Sequence, residues 1–137
     1  MRVMVTGASG WIGGYVFDEL TRRGHEPIGT SERPSQSHPV AFLNVNDAGR
    51  VHSFVAEHEP EVIIHLAGKL GTHELLGHER TAAETNILGA INIYDAAFHH
   101  RIRVVQIGTG HKGQPNTYAI TKGCAEDLGL ARAAHLG

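Results

Sequence analysis

A single cysteine, Cys124, excludes an internal disulfide, so the chain has to hold its fold by packing alone. Basic residues never run longer than Arg22-Arg23, and 12 lysines and arginines against 14 acidic side chains leave a formal net charge of -2. The electrostatic footprint of a nucleic-acid binder is therefore missing. No apolar run approaches the ~18 to 20 residues that a membrane-spanning helix requires, so no membrane partner is expected. The chain enters an apolar strand at Arg2-Val3 without a secretory leader pattern, and the expected location is the cytoplasm. Metal-ligand spacing is absent too, despite 11 histidines. In His73-Glu74-Leu75-Leu76-Gly77-His78 the two imidazoles stand at i and i+5, about 140° apart on a helix, whereas a zinc-binding H-E-x-x-H needs i and i+4. These read as surface histidines, His99-His100 as polar helix-end residues, and no metal is expected.

What is present is an alternation. A length of 137 residues suits one domain, and short apolar runs alternate with longer helical periodicities, the mark of a parallel sheet covered by helices. Strands are predicted at Val3–Thr6, Pro27–Thr30, Val40–Leu43, Glu61–Leu66 and Arg103–Ile107. Between them fall a helix with Ile12, Val16 and Leu20 on one face, closed by Gly24, and a helix capped by Asp47 that buries Val51, Phe54 and Val55 and stops at Pro60. A long helix is predicted over Thr81–Phe98, with Ile87, Ile91, Tyr94 and Phe98 as its packed stripe, and a last one from Thr117 to the end. The expected fold is α/β, a Rossmann-type doubly wound parallel sheet of about five strands. The chain is read as one dinucleotide-binding domain over residues 1–137.

The first strand runs into Thr6-Gly7-Ala8-Ser9-Gly10-Trp11-Ile12-Gly13-Gly14 and then into a helix. Glycines at such a turn let the backbone approach a pyrophosphate, and the helix N-terminus offers free N–H groups and a positive dipole end. Gly7, Ser9, Gly10, Trp11, Ile12 and Gly13 are the candidate cofactor contacts here. The end of the second strand should read the adenosine ribose, with an acid for NAD or a cation for the 2′-phosphate of NADP. Ser31 stands where the acid is expected, Glu32 follows, and Arg33 is placed to meet a phosphate. The reading is NADP or NAD, leaning to NADP.

Tyr118 and Lys122, at i and i+4, share a helical face with their Cβ atoms on the order of 6 Å apart. A free phenol ionises near pH 10, and a neighbouring ammonium favours the phenolate, which suits proton exchange with an alcohol or carbonyl at neutral pH.

Six ordered motifs now stand together: Thr6-Gly7-x-x-Gly10-x-x-Gly13, Leu43-Asn44-Val45-Asn46-Asp47, His65-Leu66-Ala67-Gly68, Asn86 within Glu84-Thr85-Asn86-Ile87-Leu88-Gly89, Ile107-Gly108-Thr109, and Tyr118-x-x-x-Lys122. With them the chain resembles, along its whole length, the extended short-chain dehydrogenase/reductase family, in its nucleotide-sugar epimerase/dehydratase group. The resemblance implies that Gly7, Gly10 and Gly13 hold the pyrophosphate and that Asn44 and Val45 flank the adenine. It places Leu66, Ala67, Gly68 and Asn86 on the cofactor as well, Ala67 and Gly68 on the nicotinamide ribose side, with Lys122 bonded to that ribose. Thr109 would polarise the substrate oxygen and Tyr118 would be the acid/base, while hydride moves between nicotinamide C4 and a sugar carbon.

Departures from the family pattern refine this expectation. Asn44 replaces an acid before the adenine, though its amide oxygen can still accept from the adenine amino group. Gly110-His111 stands where sugar dehydratases of the group carry Asp-Glu, which leaves epimerisation or simple reduction. Only nine positions separate Thr109 from Tyr118, fewer than the family's usual substrate loop. The family also continues past its last helix here into further strands and a domain that binds the sugar nucleotide. Two readings follow: the cofactor part of an NAD(P)-dependent epimerase or oxidoreductase, or a non-catalytic dinucleotide-binding or scaffolding module derived from one. A sheet open at one edge would also expose apolar surface, so a homodimer is expected.

Overall fold

The computed structural model describes residues 1–136. Five strands form one parallel sheet: β1 (Arg2–Thr6), β2 (Glu26–Ser31), β3 (Val40–Phe42), β4 (Val62–His65) and β5 (Arg103–Gln106), in the order β3-β2-β1-β4-β5. Helix α1 (Trp11–Arg22) follows β1, α2 (Ala48–His58) follows β3, and α5 (Thr117–Leu136) follows β5. The long crossover between β4 and β5 is α3 (Glu79–Ala83), a π-helical turn (Glu84–Leu88) and α4 (Gly89–His100), end to end. Chain direction reverses its march across the sheet between β1 and β4, and ligands of open parallel sheets bind at the carboxyl ends of the strands at such a point. There Val5 is level with Gly29 on one side and Ile64 on the other.

Strand residues alternate between two apolar layers. Met4 and Ile63 point to α2 and α4, where they pack with Val51, Phe54, Val55, Ile93, Ala96 and Ala97. Val3 and Val5 point the other way, against Val16 and Leu20 of α1. The caps follow from local chemistry. Asp47 accepts from Arg50 N at 2.9 Å to start α2, and Glu59 (φ 43°) and Arg101 (φ 58°) close α2 and α4 in the left-handed region.

Two predicted helix faces are shifted. Ile12 of α1 is half-exposed while Phe17 and Gly13 are buried, because the tight approach of Gly13 to the β1 turn rolls the helix onto those two residues. On the long crossover the buried positions of α4 are Ala90, Ile93, Tyr94, Ala96 and Ala97, whereas Ile87 and Ile91 are half-buried and Phe98 lies outside. Ile91, Tyr94 and Phe98 all lie in α4 beyond the π-helical turn, and the buried face there is carried by Ala90, Ala96 and Ala97 beside Ile93 and Tyr94, small residues that a stripe of large apolar side chains does not mark. Gly137, where the last helix was expected to end, lies outside the described residues. None of the described helices is long and apolar enough to cross a membrane.

Candidate functional site

A groove of about 400 Å³ lies at the carboxyl ends of β1, β2 and β4. Its floor depends on two glycines. Gly7 takes φ +69°, and a Cβ there would stand 2.9 Å from Ala67 N; at Gly13 a Cβ would stand 2.2 Å from Gly7 O. Only a residue without a side chain fits either place. The turn is held by Gly10 N donating to Gly7 O at 2.9 Å, and α1 opens at Gly10 with no side-chain cap, so its first N–H groups remain free at the groove.

Of the residues expected to meet a cofactor, Gly7, Ser9, Gly10, Ser31, Arg33, Val45, Leu66, Ala67 and Gly68 line this groove. Gly13 sits beneath it as packing. Trp11, 80 % exposed, and Ile12 turn their side chains to solvent from the first turn of α1, so at the groove they offer only their backbone N–H groups. Asn44 turns its Oδ1 onto Asn46 N at 2.8 Å, a local turn next to the groove wall and not in it. A second concavity of about 450 Å³, on the outer face of α1, is mainly apolar along Ile12, Tyr15, Val16 and Leu20, with Glu19, Arg23 and His25 also lining it. Among the described residues there is no cluster of His, Cys, Asp and Glu able to hold a metal. His73 and His78 are exposed, as surface histidines should be.

Thr6 and His65 connect the groove to α5. The Thr6 Oγ1 accepts from Leu66 N and Ala67 N, each at 3.1 Å, which uses both of its lone pairs. Its proton therefore goes to His65 Nδ1, 2.7 Å away, leaving the imidazole proton on Nε2. Burial, with the Lys122 charge adding to it, holds His65 neutral by pushing its pKa down to about 3. Lys122 is itself buried, at 5 % exposure. Burial lowers its pKa below the usual ammonium range, against the opposing pull of Glu126.

The π-helical turn places Asn86 between the groove and α5. Its Oδ1 accepts from Lys69 N at 2.7 Å, and its Nδ2 donates to Lys69 O and Thr121 Oγ1, both at 3.0 Å. Thr121 Oγ1 in turn donates to Thr117 O at 2.7 Å, in the first turn of α5. That turn is capped by Asn116, whose Oδ1 accepts from Ala119 N at 2.8 Å. Asn86 thus works as a buried brace rather than a groove wall, and it fixes the helix that carries Tyr118 and Lys122. Thr109 sits half-buried in the loop after β5, with its Oγ1 accepting from His111 N at 3.1 Å. The short loop between β5 and α5 is tied down by Lys112, which pairs with Glu126 at 3.6 Å and with Asp127.

Sequence reasoning missed Lys69 and left out Thr6, His65 and Thr121. The alternation of β4 was a usable signal for His65, since it shares a sheet face with buried Ile63. For Lys69 no pattern pointed inward.

The profile of the NAD dependent epimerase/dehydratase family matches residues 3–134. A dTDP-L-rhamnose 4-epimerase from Burkholderia thailandensis is 32% identical over 119 residues, covering 77% of this chain and 33% of that protein. Among solved structures, a UDP-glucose 4-epimerase from Thermotoga maritima with UDP-glucose superimposes with a TM-score of 0.91 at 20% identity, over 100% of this chain and 52% of that one. The Thermus thermophilus UDP-glucose 4-epimerase in complex with NAD gives 0.87 at 22%, again over 100% and 52%. The chain spans about a third of the length of the curated relative and about half of each solved one.

Proposed function

The chain belongs to the NAD dependent epimerase/dehydratase family, and from that premise we propose that its groove binds a nicotinamide dinucleotide and serves epimerisation or reduction at a hydroxyl or carbonyl carbon of a nucleotide-sugar. The observation that carries this reading is the junction of two features: a cradle that only glycine can form, and a bonded path from its floor through Thr6 to His65, beside the buried Lys122. A module that bound only a dinucleotide's phosphates would have no need to bury an ammonium there.

The residues present suit such a cofactor. Gly7, Ser9 and Gly10 with the free N–H groups of α1 would take the pyrophosphate, Val45 the adenine side, and Leu66, Ala67 and Gly68 the nicotinamide ribose side. When bound, the nicotinamide supplies a hydride acceptor or donor. In this reading Lys122 donates a hydrogen bond to the ribose, and Tyr118 is the group that takes and returns the substrate's hydroxyl proton. Thr109 donates to the substrate oxygen. Neutral His65 keeps a second positive charge away from Lys122 and braces the turn at Leu66-Ala67 through Thr6. Ser31 in place of an acid, beside Arg33, supports NADP, although the Thermus relative was solved with NAD.

A second reading is a dinucleotide-binding or scaffolding module without turnover. The chain is taken as one dinucleotide-binding domain, working in the cytoplasm. Its exposed Val105 on the edge strand and Ile107 just after it, with Ile120, Leu128 and Leu130 on α5, support a homodimer, which light scattering would contradict by a monomeric mass across a wide concentration range. The functional test is incubation with each dinucleotide and a panel of UDP- and dTDP-sugars, read by NMR for a new sugar configuration. Turnover that vanishes in Tyr118→Phe while cofactor binding persists supports the enzyme. Bound cofactor with no turnover in the wild type supports the module.

A further inference from the structure

Lys69 lies on the loop after β4, and Glu32 follows β2, so the 3.9 Å contact between Lys69 Nζ and Glu32 Oε2 reaches across the groove above the glycine turn of β1. Three charges meet at this rim: Lys69, Arg33 and Glu32, all of which line the groove. Glu32 is the only anion among them, so the rim carries a net positive charge. Ser31, at the place of the ribose-reading acid, is turned inward. Its Oγ bonds Ser9 Oγ at 2.6 Å and accepts from Arg33 N at 3.2 Å. No carboxylate is therefore fixed at the end of β2, and Glu32, one residue on, is drawn towards Lys69.

Lys69 is not a loosely held surface lysine. The buried Asn86 grips both its N–H and its C=O, at 2.7 and 3.0 Å, so the stem leaves from a fixed point and the ammonium is carried to the adenosine end of the groove. Both charged heads of the pair remain solvent-accessible, at 36% and 43% side-chain exposure. An exposed pair of this kind holds weakly and exchanges readily for a better anion. A phosphate monoester, with three acceptor oxygens and close to two negative charges, is such an anion.

Resting on the reading of the groove as a dinucleotide site, we infer that Lys69 determines cofactor choice: with Arg33 it forms a two-cation seat for the 2′-phosphate of NADP, which Glu32 occupies until the phosphate displaces it. Glu32 then disfavours the phosphate by repulsion and by competing for Lys69, and removing its charge strengthens NADP binding.

The test is calorimetric titration of the wild type, Lys69→Gln and Glu32→Gln with NADPH, NADH and 2′,5′-ADP, each variant checked for native fold by circular dichroism. Lys69→Gln should weaken NADPH and 2′,5′-ADP about tenfold, the loss of one charge-assisted contact, and leave NADH within about twofold. Glu32→Gln should tighten NADPH several-fold, and both effects should shrink in high salt. Equal weakening of NADPH and NADH by Lys69→Gln would move Lys69 to the pyrophosphate and overturn the inference. Unchanged NADPH binding in that variant would overturn it too, leaving Lys69 as a partner of Glu32 only. Failure of the wild type to bind any of the three ligands would overturn the dinucleotide reading itself.

Discussion

Lowering the pH should unfold this protein through His65. The imidazole is fully buried, its Nδ1 accepts the Thr6 hydroxyl, and its pKa is pushed from 6.5 to about 3 by burial and by Lys122. The folded state therefore resists the proton that the unfolded chain takes readily. A lowered folded pKa contributes stability that is fully present above 6.5 and is lost as pH falls through the folded value near 3. The whole interval corresponds to about 4 to 5 kcal/mol, and about 3 kcal/mol of it is gone by pH 4. That is a large part of the ordinary stability of a domain of this size. The assay is urea unfolding at pH 7, 6, 5 and 4, followed by circular dichroism, on wild type and on His65→Asn, whose amide oxygen can still accept from Thr6. Carboxylates contribute equally to both proteins, so the difference between them isolates the imidazole. The variant should start less stable at pH 7 and lose about 3 kcal/mol less between pH 7 and pH 4. Parallel pH profiles for the two proteins would refute the reasoning.

Other perturbations test other parts of the account. Gly13→Ala drives a methyl group to 2.2 Å from Gly7 O, so it should cost about 2 to 3 kcal/mol by denaturant unfolding and abolish dinucleotide binding by calorimetry. Asn86→Ala leaves the Lys69 N–H and the Thr121 hydroxyl without their partner and should cost about 2 to 3 kcal/mol. Asn86→Asp keeps the acceptor for Lys69 N but sets a buried carboxylate oxygen against Lys69 O, so it should not recover that loss in a thermal melt. Tyr94→Phe removes the 2.9 Å bond to Ala125 O and should cost about 1 kcal/mol. Because burial raises the Tyr94 pKa to about 12, its contribution is present below pH 10 and lost as pH rises through 12. An alkaline titration should show this loss in the wild type and not in Tyr94→Phe.

The fold was legible because its signals are local and repeated. The apolar run Val62-Ile63-Ile64 demanded a strand covered on both faces, Asp47 and Pro60 bracketed α2, and the observed order β3-β2-β1-β4-β5 is the doubly wound arrangement those alternating elements implied. The crossover face was legible only in part: Tyr94 is buried as the stripe required, but alanines carry much of the buried face of α4, and no residue in Glu84–Leu88 announces a π-helical turn. At the site, the glycine turn could be read because Gly7 and Gly13 leave no room for a side chain. Trp11 and Ile12 sit in the same motif but point outward, since motif membership does not fix the direction of a helical side chain. Asn86 stood out in its motif, but its bracing of Lys69 and Thr121, 17 and 35 residues away, could not be read there.

The central claim is that the groove at the ends of β1, β2 and β4 holds a nicotinamide dinucleotide. Calorimetric titration of the purified chain with NADPH and NADH tests it most directly. The account predicts saturable binding of one dinucleotide per chain, at micromolar affinity or better, with NADPH the tighter ligand. Absence of heat and of saturation with both would contradict it.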